Sequence, residues 1–402
     1  MRSLLALVLL CGTPTAAQAQ LTWVPCTMPV NTLTTLAMGP YGELVTLLNT
    51  NPAQVRMSTD QGQSWQNHAG TGGPNGTFLS ETRLHLTNAA TMLVWGSVNG
   101  GSSYGLWRST DGGDTFAPVG GIPTSRYFMG FSSGPNGDVY LYGEGILRST
   151  NDGQSWTSIV GASTFVTAAV ANTTNLYAVQ IGVVYKGGLD GTGFAAISTG
   201  GVQVTNGLAM ARGLNDRILA TGGGDRIITT TDNGLTWQAV NTGITTTLNN
   251  ELQHIAASLS SDTWVTAKQI TVFSTDNGGA PWANASSGLG FAGNEPIQGI
   301  FCDSTETFYL YGYFHLYRSN ISTGIEASPM VNDEKVFPNP TEGIMRLPST
   351  FAGKACQVID AAGREVLRVQ VGYDATLDLG ALENGRYLLR SAAAVVPVQV
   401  LR

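Results

Sequence analysis

The octapeptide STDQGQSW at residues 58–65 decides the fold, because it recurs along the chain. It returns as STDGGDTF at 109–116, as STNDGQSW at 149–156 and as TTDNGLTW at 230–237. A fifth copy begins with STDNG at 274–278, and its Trp282 stands one residue later than the pattern requires. Self-similarity at a period of tens of residues is typical of solenoids and propellers.

Each residue type of the octapeptide has a role in a tight turn. The Asp or Asn side chain can accept hydrogen bonds from backbone N–H groups of its own turn. The Gly tolerates a positive φ, and the aromatic residue packs the turn against a sheet. The acidic residues are therefore interpreted as turn-formers, with no catalytic role. The predicted structural positions are Asp60, Gly62, Trp65, Asp111, Gly113, Phe116, Asn151, Gly153, Trp156, Asp232, Gly234, Trp237, Asp276, Gly278 and Trp282.

Two weaker copies, at residues 185–194 and 317–320, complete the series. Successive copies start 39 to 51 residues apart, which is close to the length of one four-stranded propeller blade. Apolar hairpins such as 128–142 and 300–311 precede the copies and would supply the inner strands. Seven copies predict seven blades.

The last copy stops after Asn320 and lacks the outer strand that should follow it. Leu21-Thr22-Trp23 repeats Leu235-Thr236-Trp237, which begins such an outer strand. The N-terminal segment is therefore predicted to form the fourth strand of the last blade, which closes the ring and removes exposed sheet edges. The predicted fold class is all-β: a seven-bladed β-propeller closed by the N-terminal strand, followed by a small C-terminal β-sandwich.

The octapeptide resembles the Asp box, or BNR repeat, of sialidases and related propellers. The resemblance implies a sialidase-like fold whose boxes lie away from the ligand. It does not extend to sialidase activity, because the F/Y-R-I-P signature near the N-terminus is absent. Four arginines stand beside boxes instead, on outer strands away from the channel; they are Arg56, Arg108, Arg148 and Arg318.

The composition changes after residue 325, and three new motifs follow. They are KVFPNPTEG at 335–343, DAAGREV at 360–366 and LENGRYLLR at 382–390. Together they resemble the type A C-terminal sorting domain of the Bacteroidota type IX secretion system, with signal residues Pro338, Asn339, Pro340, Gly343, Asp360, Gly363, Gly385 and Tyr387. The resemblance implies a β-sandwich over 332–402 that the secretion machinery recognises and that is cleaved in many members.

The N-terminus has the pattern of a secretory signal peptide. Arg2 is followed by the apolar run 4–11 and by Ala17-Gln18-Ala19, a small-residue cleavage site. The predicted organisation is a signal peptide at 1–19, a propeller at 20–325, a linker at 326–331 and the sorting domain at 332–402. We expect export through the periplasm to the outer cell surface or the medium.

Composition excludes several other classes of protein. Net charge is −7 and the sequence pI is about 5.1, which argues against a nucleic-acid ligand. No other apolar run has membrane length, so no transmembrane segment is expected in the mature protein. No metal-ligand spacing occurs, and no cofactor is predicted.

Cys26 and Cys302 both belong to the closing blade, but roughly three strand spacings of about 4.8 Å separate them, which favours two separate buried thiols.

Propellers usually bind ligands at the mouth of the central channel. The candidate residues there are those that precede or begin each innermost strand, namely Glu81, Arg83, Arg126, Tyr127, Glu251, His254 and Glu295. The favoured function is non-catalytic binding of an extracellular protein or glycan. The alternative is a glycoside hydrolase, sialidase-like or xyloglucanase-like, that uses Glu251 and Glu295.

Overall fold

A computed structural model describes residues 21–40, 42–75, 82–97, 103–202, 205–223, 226–244, 252–279, 281–291, 295–321, 341–347, 351–352, 354–360, 364–372, 374–390 and 395–400. The chain divides into two compact units, Met1–Ile325 and Glu326–Arg402. Both are built of β-strands, and a 3-10 turn lies at Leu214–Asp216 in the first. The predicted signal peptide at 1–19 lies outside those residues.

Seven antiparallel sheets follow one another along the described part of the first unit, six with four strands and one with three. The first sheet contains β2 (Ala37–Met38), β3 (Leu44–Leu47), β4 (Val55–Ser58) and β5 (Gln66–His68), and the second contains β6 (Arg83–Leu86), β7 (Met92–Ser97), β8 (Tyr104–Ser109) and β9 (Ala117–Pro118). The third sheet contains β10 (Phe128–Ser133), β11 (Val139–Ser149) and β12 (Thr157–Phe165), and the fourth contains β13 (Ala168–Ala171), β14 (Asn175–Gln180), β15 (Val183–Gly188) and β16 (Ala195–Ala196).

The remaining three sheets have the same strand order. They are β17 (Thr205–Arg212), β18 (Ile218–Gly223), β19 (Arg226–Thr230) and β20 (Gln238–Ala239); β21 (His254–Ala257), β22 (Trp264–Lys268), β23 (Thr271–Thr275) and β24 (Ala283–Asn284); and β25 (Gly299–Cys302), β26 (Phe308–Tyr311) and β27 (Leu316–Ile321) with β1 (Leu21–Pro25).

The seventh sheet joins the two ends of this unit. Strand β1 runs antiparallel to β27, with Leu21 opposite Ile321 and Pro25 opposite Tyr317. The Trp23 ring is buried, and its Nε1–H donates to the Ala285 carbonyl at 2.6 Å. The pairing predicted from Leu21-Thr22-Trp23 is confirmed.

Hydrophobic clusters hold consecutive sheets together. Met92 and Val94 of β7 pack with the first sheet, whereas Leu93 and Trp95 pack with the third. Side chains alternate across a strand, so a strand with both faces buried reads as a continuous apolar run. Seven clusters of this kind link the described sheets in order, and the last one joins Tyr309 of the seventh sheet to the first.

The octapeptide turns connect the third and fourth strands. The Ser109 hydroxyl donates to the Asp111 carboxylate at 2.7 Å and accepts from the Gly113 N–H at 3.0 Å. Asp111 also accepts from the backbone N–H and the hydroxyl of Thr115, at 3.0 and 2.6 Å. The copies at 58–65 and 230–237 repeat this pattern. The copy at 149–156 repeats its backbone hydrogen bonds, but there the Asn151 amide donates to the Ser155 hydroxyl at 2.8 Å.

The fifth octapeptide lies one residue later than the sequence suggested. Strand β23 ends at Thr275, whose hydroxyl donates to the Asn277 side chain at 2.6 Å. Gly279, with φ of +117°, takes the glycine position against the Trp264 ring. The register of this copy therefore differs from the prediction: Asn277 and Gly279 stand where Asp276 and Gly278 were expected, although Gly278 also has a positive φ, +77°. The octapeptide is TDNGGAPW at 275–282, and Trp282 stands in register.

The second unit has two described sheets that share one core. One contains β30 (Glu365–Gln370), β29 (Ala355–Asp360), β32 (Gly385–Arg390) and β33 (Val395–Val400), and the other pairs β28 (Ile344–Arg346) with β31 (Thr376–Asp378). Phe351, Cys356 and Leu389 are buried in the core.

The described signal residues of this unit stabilise turns. The Asp360 carboxylate accepts from the Arg364 N–H and Nε, each at 2.9 Å, and the Tyr387 hydroxyl donates to the Glu383 carbonyl. The Gly343 N–H donates to the Thr341 hydroxyl, and Gly385 begins β32. Pro338, Asn339, Pro340 and Gly363 lie outside the described residues.

Cys26 and Cys302 are free thiols, both half-buried, which confirms the prediction of two separate thiols. Burial raises the pKa of the Cys26 thiol to about 11.

In the described part of the chain, no helix has the length and hydropathy needed to cross a bilayer. Nor do three His, Cys, Asp or Glu side chains come together there as metal ligands would.

Candidate functional site at the inner strands

The first strand of each described sheet contacts the first strand of the next sheet, and we call these strands the innermost strands. They are β2, β6, β10, β13, β17, β21 and β25, and neighbours from β2 to β25 contact each other in that order. Each is the terminal strand of its described sheet, so only one of its edges is paired. The other edge is where a ligand in the middle of the ring would meet the protein.

Arg83, the first residue of β6, reaches across to the third sheet. Its Nε donates to the Met129 carbonyl at 2.6 Å and its Nη2 to the Tyr127 hydroxyl at 2.9 Å. Its Nη1 donates to the Thr82 carbonyl at 3.1 Å. Met129 stands at a register shift between β10 and β11, where it has no ladder partner. Arg83 therefore approaches β10 at an irregular point of the innermost strand.

Two tyrosines from second strands extend over glycines of innermost strands. Tyr142 pairs with Gly130, and a Cβ at Gly130 would lie 2.5 Å from the Tyr142 hydroxyl oxygen. Tyr311 pairs with Gly299, where an added Cβ would lie 2.4 Å from the tyrosine ring. Because neither glycine has a side chain, each phenol ring can lie across the inner strand.

Arg83 acts electrostatically on both of these tyrosines. Burial raises the pKa of the Tyr142 hydroxyl, and the Arg83 charge opposes that rise. Burial likewise raises the pKa of Tyr311 to about 12, again against the Arg83 charge. The guanidinium also lies 6.0 Å from the centroid of the Tyr127 ring. We call Arg83, Tyr127, Tyr142 and Tyr311 the channel cluster.

The structure brings the predicted residues Arg83 and Tyr127 into direct contact. The Tyr127 N–H is held by the Glu144 carboxylate at 3.1 Å, and the preceding Arg126 has a buried Nη1 without a hydrogen-bond partner. Tyr142 and Tyr311 were missed by the sequence reasoning. Their signal was the repeated YLYG at 140–143 and 309–312, each opposite an inner-strand glycine.

Other predicted candidates have roles within the fold. Glu295 is only 4% exposed, and its carboxylate accepts the Phe314 N–H at 2.6 Å and lies 2.6 Å from His315 Nδ1. It holds the turn between β26 and β27, so its side chain is buried there and not exposed as expected of a loop end. Glu81 and Glu251 lie outside the described residues.

The histidines of the innermost strands also contact neighbouring sheets. His254 Nε2 lies 3.0 Å from the Ile297 carbonyl, and His85 Nε2 lies 2.8 Å from the Ser133 hydroxyl. Burial lowers the pKa of each histidine to about 4, although the Ile297 carbonyl opposes the shift at His254. Both are therefore neutral near pH 7 and act as inter-sheet hydrogen-bonding groups.

Residues 335–395 match the family described as secretion system C-terminal sorting domain. The match agrees with the motifs in that segment and indicates a protein that is secreted, with its C-terminal unit recognised by the secretion machinery.

A xyloglucanase of Hypocrea jecorina is 34% identical over 94 residues, which cover 22% of this chain and 10% of that enzyme. The chain therefore matches only a small part of the enzyme's length.

Two solved structures illustrate the likeness of fold. YCF48 bound to D1 peptide is 14% identical with a TM-score of 0.55, over 75% of this chain and 97% of that one. The GH74 xyloglucanase from Xanthomonas campestris is 12% identical with a TM-score of 0.56, over 74% of this chain and 53% of that one. Both are β-propellers, and at these identities they establish a propeller-like fold alone.

Proposed function

We propose that the chain is a non-catalytic binding module, exported through the type IX secretion system to the cell surface or the medium. The observation that carries the proposal is the channel cluster, in which Arg83 donates to the Tyr127 hydroxyl and lies within electrostatic reach of Tyr142 and Tyr311. A cation, phenolic hydroxyls and aromatic faces can hold a ligand, but they lack the paired carboxylates of glycoside hydrolysis.

The proposed framework is a seven-bladed Asp-box propeller at residues 20–325, closed by its N-terminal strand. Its support is the succession of seven described sheets and the seven hydrophobic clusters that link them in a cycle. Mutual burial of the sheet faces leaves the innermost strands around a channel, which is where ligands of propellers bind.

Export is proposed to use both ends of the chain. A signal peptide at 1–19 directs the chain to the periplasm, and a type A sorting domain at 332–402, a small β-sandwich, directs it across the outer membrane. The family match at 335–395 supports the second step. Residues 326–331 form the linker.

The role of Glu295 argues for binding over catalysis. Hydrolysis needs one carboxylic acid to protonate the leaving group and a second carboxylate on the other side of the sugar. Glu295 is buried and engaged with Phe314 and His315, so it is not available to a substrate in the channel. The hydrolase alternative would then rest on Glu251 without its proposed partner.

The experiment is an incubation of the purified full chain with plant and bacterial polysaccharides and with peptides. Binding is measured by calorimetry and new reducing ends by chromatography. We expect binding without cleavage, and we expect Glu295→Gln to leave binding unchanged once folding is confirmed. Cleavage that is abolished by Glu251→Gln would overturn the proposal in favour of the hydrolase.

The export step has a separate test. Deletion of residues 332–402 should leave the protein inside the cell, whereas the full chain appears at the surface or in the medium. Unchanged delivery of the truncated chain would refute the sorting role.

A further inference from the structure

Resting on the proposed binding function, we propose that the channel cluster recognises the carboxylate of an acidic sugar, a uronic acid residue within a glycan. The cluster supplies a positive charge with unused donors, flat aromatic faces, and a rigid attachment to three sheets. Each of these properties is visible in the described residues.

The positive charge of Arg83 is balanced by neutral groups. Its three hydrogen bonds go to the carbonyls of Thr82 and Met129 and to the hydroxyl of Tyr127. Within the described residues, no carboxylate lies at salt-bridge distance from it. The guanidinium is half-buried, and a half-buried cation without a counter-ion favours an anionic ligand.

The donors that remain on Arg83 fit a carboxylate. A guanidinium has five N–H donors in a planar fork, and the contacts to Thr82, Tyr127 and Met129 use three of them. A carboxylate accepts from such a fork with two oxygens at once, which adds direction as well as energy. The Glu144 carboxylate accepts from the Tyr127 N–H at 3.1 Å.

The tyrosines provide the features that favour a sugar over an acidic peptide. Tyr127 and Tyr142 are only half-buried, so their rings can present a face to the pyranose ring, whereas Tyr311 is 8% exposed and stacks on Phe301. Tyrosine hydroxyls both donate and accept, as sugar hydroxyls require. The Tyr142 ring is packed across Gly130, so little conformational entropy is lost when a sugar ring stacks on it. A rigid cyclic carboxylate fits this fixed geometry better than a flexible glutamate side chain.

The test is calorimetry of the full chain with three probes of similar size: trigalacturonate, galactotriose and a tri-glutamate peptide. We expect trigalacturonate to bind, galactotriose to bind at least about tenfold more weakly, and added NaCl to weaken the first interaction. Arg83→Gln should weaken trigalacturonate binding by about tenfold or more. The matched control is Arg226→Gln, since Arg226 is exposed at the start of β19 in the fifth sheet, which contributes no residue to the cluster.

Arg83→Lys keeps the charge but loses the planar fork, so it should bind more weakly than the wild type while its binding remains salt-dependent. Arg83→Lys also keeps the site testable if Arg83→Gln does not fold. Circular dichroism checks the folding of both variants.

Equal binding of galactotriose would overturn the carboxylate assignment and leave the binding function intact. Tighter binding of tri-glutamate with the same Arg83 dependence would overturn the sugar assignment. Trigalacturonate binding that is indifferent to Arg83 would overturn the site. Cleavage of either oligosaccharide would instead be a failure of the proposed function.

Discussion

The two ends of the first unit use their polar residues differently. At the end with the octapeptide turns, which we call the turn end, the polar groups satisfy one another within a few residues, as Ser109, Asp111 and Thr115 do. At the opposite end, the mouth end, Arg83 and His254 reach groups on the next sheet. A local turn can be repeated in every sheet, whereas a contact between sheets depends on its own two partners. The turn end is therefore repetitive, and the mouth end is specific.

The turn end also has contacts between sheets, and these repeat too. The fourth octapeptide residue accepts from a cation of the preceding sheet: Asp152 from Arg108 at 2.8 Å, Gln61 from Arg318 at 2.8 Å, and the Asn233 carbonyl from Lys186 at 2.5 Å. The contact from Arg318 joins the seventh sheet to the first. Arg108 and Arg318, which stand beside octapeptides, thus link neighbouring sheets.

The largest expected effect tests the closure at the turn end. Trp23→Ala removes a buried aromatic side chain and its hydrogen bond to Ala285, and should lower the free energy of unfolding by about 3–5 kcal/mol. Urea denaturation followed by tryptophan fluorescence measures it. Thr22→Ala, whose hydroxyl bonds only the exposed Asn320 carbonyl, is the control and should change little. A small loss at Trp23 would mean that β1 contributes little to ring closure.

A second substitution tests the glycine of the turns. Gly153 has φ of +78°, and an added Cβ would lie 2.6 Å from the Leu93 side chain. Gly153→Ala should destabilise the protein by about 2–3 kcal/mol through backbone strain and overpacking. Gly161→Ala is the matched control, because its Cβ would meet nothing within 4 Å, and it should stay within about 0.5 kcal/mol. Equal thermal midpoints for the two variants would contradict this account.

The loss of stability at acid pH should depend on the octapeptide turns that contain Asp and not on the turn that contains Asn151. Hydrogen bonds from Thr115 hold the pKa of Asp111 at about 2, below the usual value of about 3.9. The ionised form is favoured in the folded state, so its stabilisation is present above about pH 4 and is lost as the pH falls toward 2. Asp111→Asn should reduce the loss of stability between pH 5 and pH 2, and Asn151→Asp should increase it. Parallel pH curves for all three proteins would show that these turns do not govern acid sensitivity.

The smallest effect on stability is expected at the mouth end. Tyr142→Phe removes a hydroxyl and keeps the ring over Gly130, so the free energy of unfolding should change by less than about 1 kcal/mol while trigalacturonate binding weakens severalfold. Tyr140→Phe, two residues earlier, removes a hydroxyl that bonds the Leu189 carbonyl at 3.1 Å. It should lose about 1 kcal/mol of stability and keep its binding. The reverse outcome would place the binding site elsewhere.

Much of the turn end could be predicted because its interactions are local in sequence. The octapeptides predicted hairpins at the right places, and Leu21-Thr22-Trp23 predicted the pairing of β1 with β27. The error in the fifth copy has a physical cause. Ser274 and Thr275 both suit the first position, and Gly278 and Gly279 both suit the glycine position, so only the end of β23 decides between them.

The mouth end could be predicted only in part. Arg83 and Tyr127 were expected there, and the structure brings them together. Glu295 was expected at the channel mouth as well, but its side chain is buried under the turn that begins at Gly312. Position along the chain indicates which end of a strand a residue occupies. It does not indicate whether the side chain faces the channel or the neighbouring turn.

The sequence by itself determined the all-β class, the repeated turns, the pairing partner of the first strand and the sorting motifs. Those features depend on periodicity and on hydrogen bonds within eight residues, which the order of residues contains directly. Tertiary structure alone decided that Tyr142 and Tyr311 come within electrostatic reach of Arg83, and that Glu295 is held by a turn. These arrangements depend on contacts between strands and between sheets that are distant in sequence. Within a sheet, the absence of a side chain at Gly130 or Gly299 matters as much as the tyrosine that fills the space.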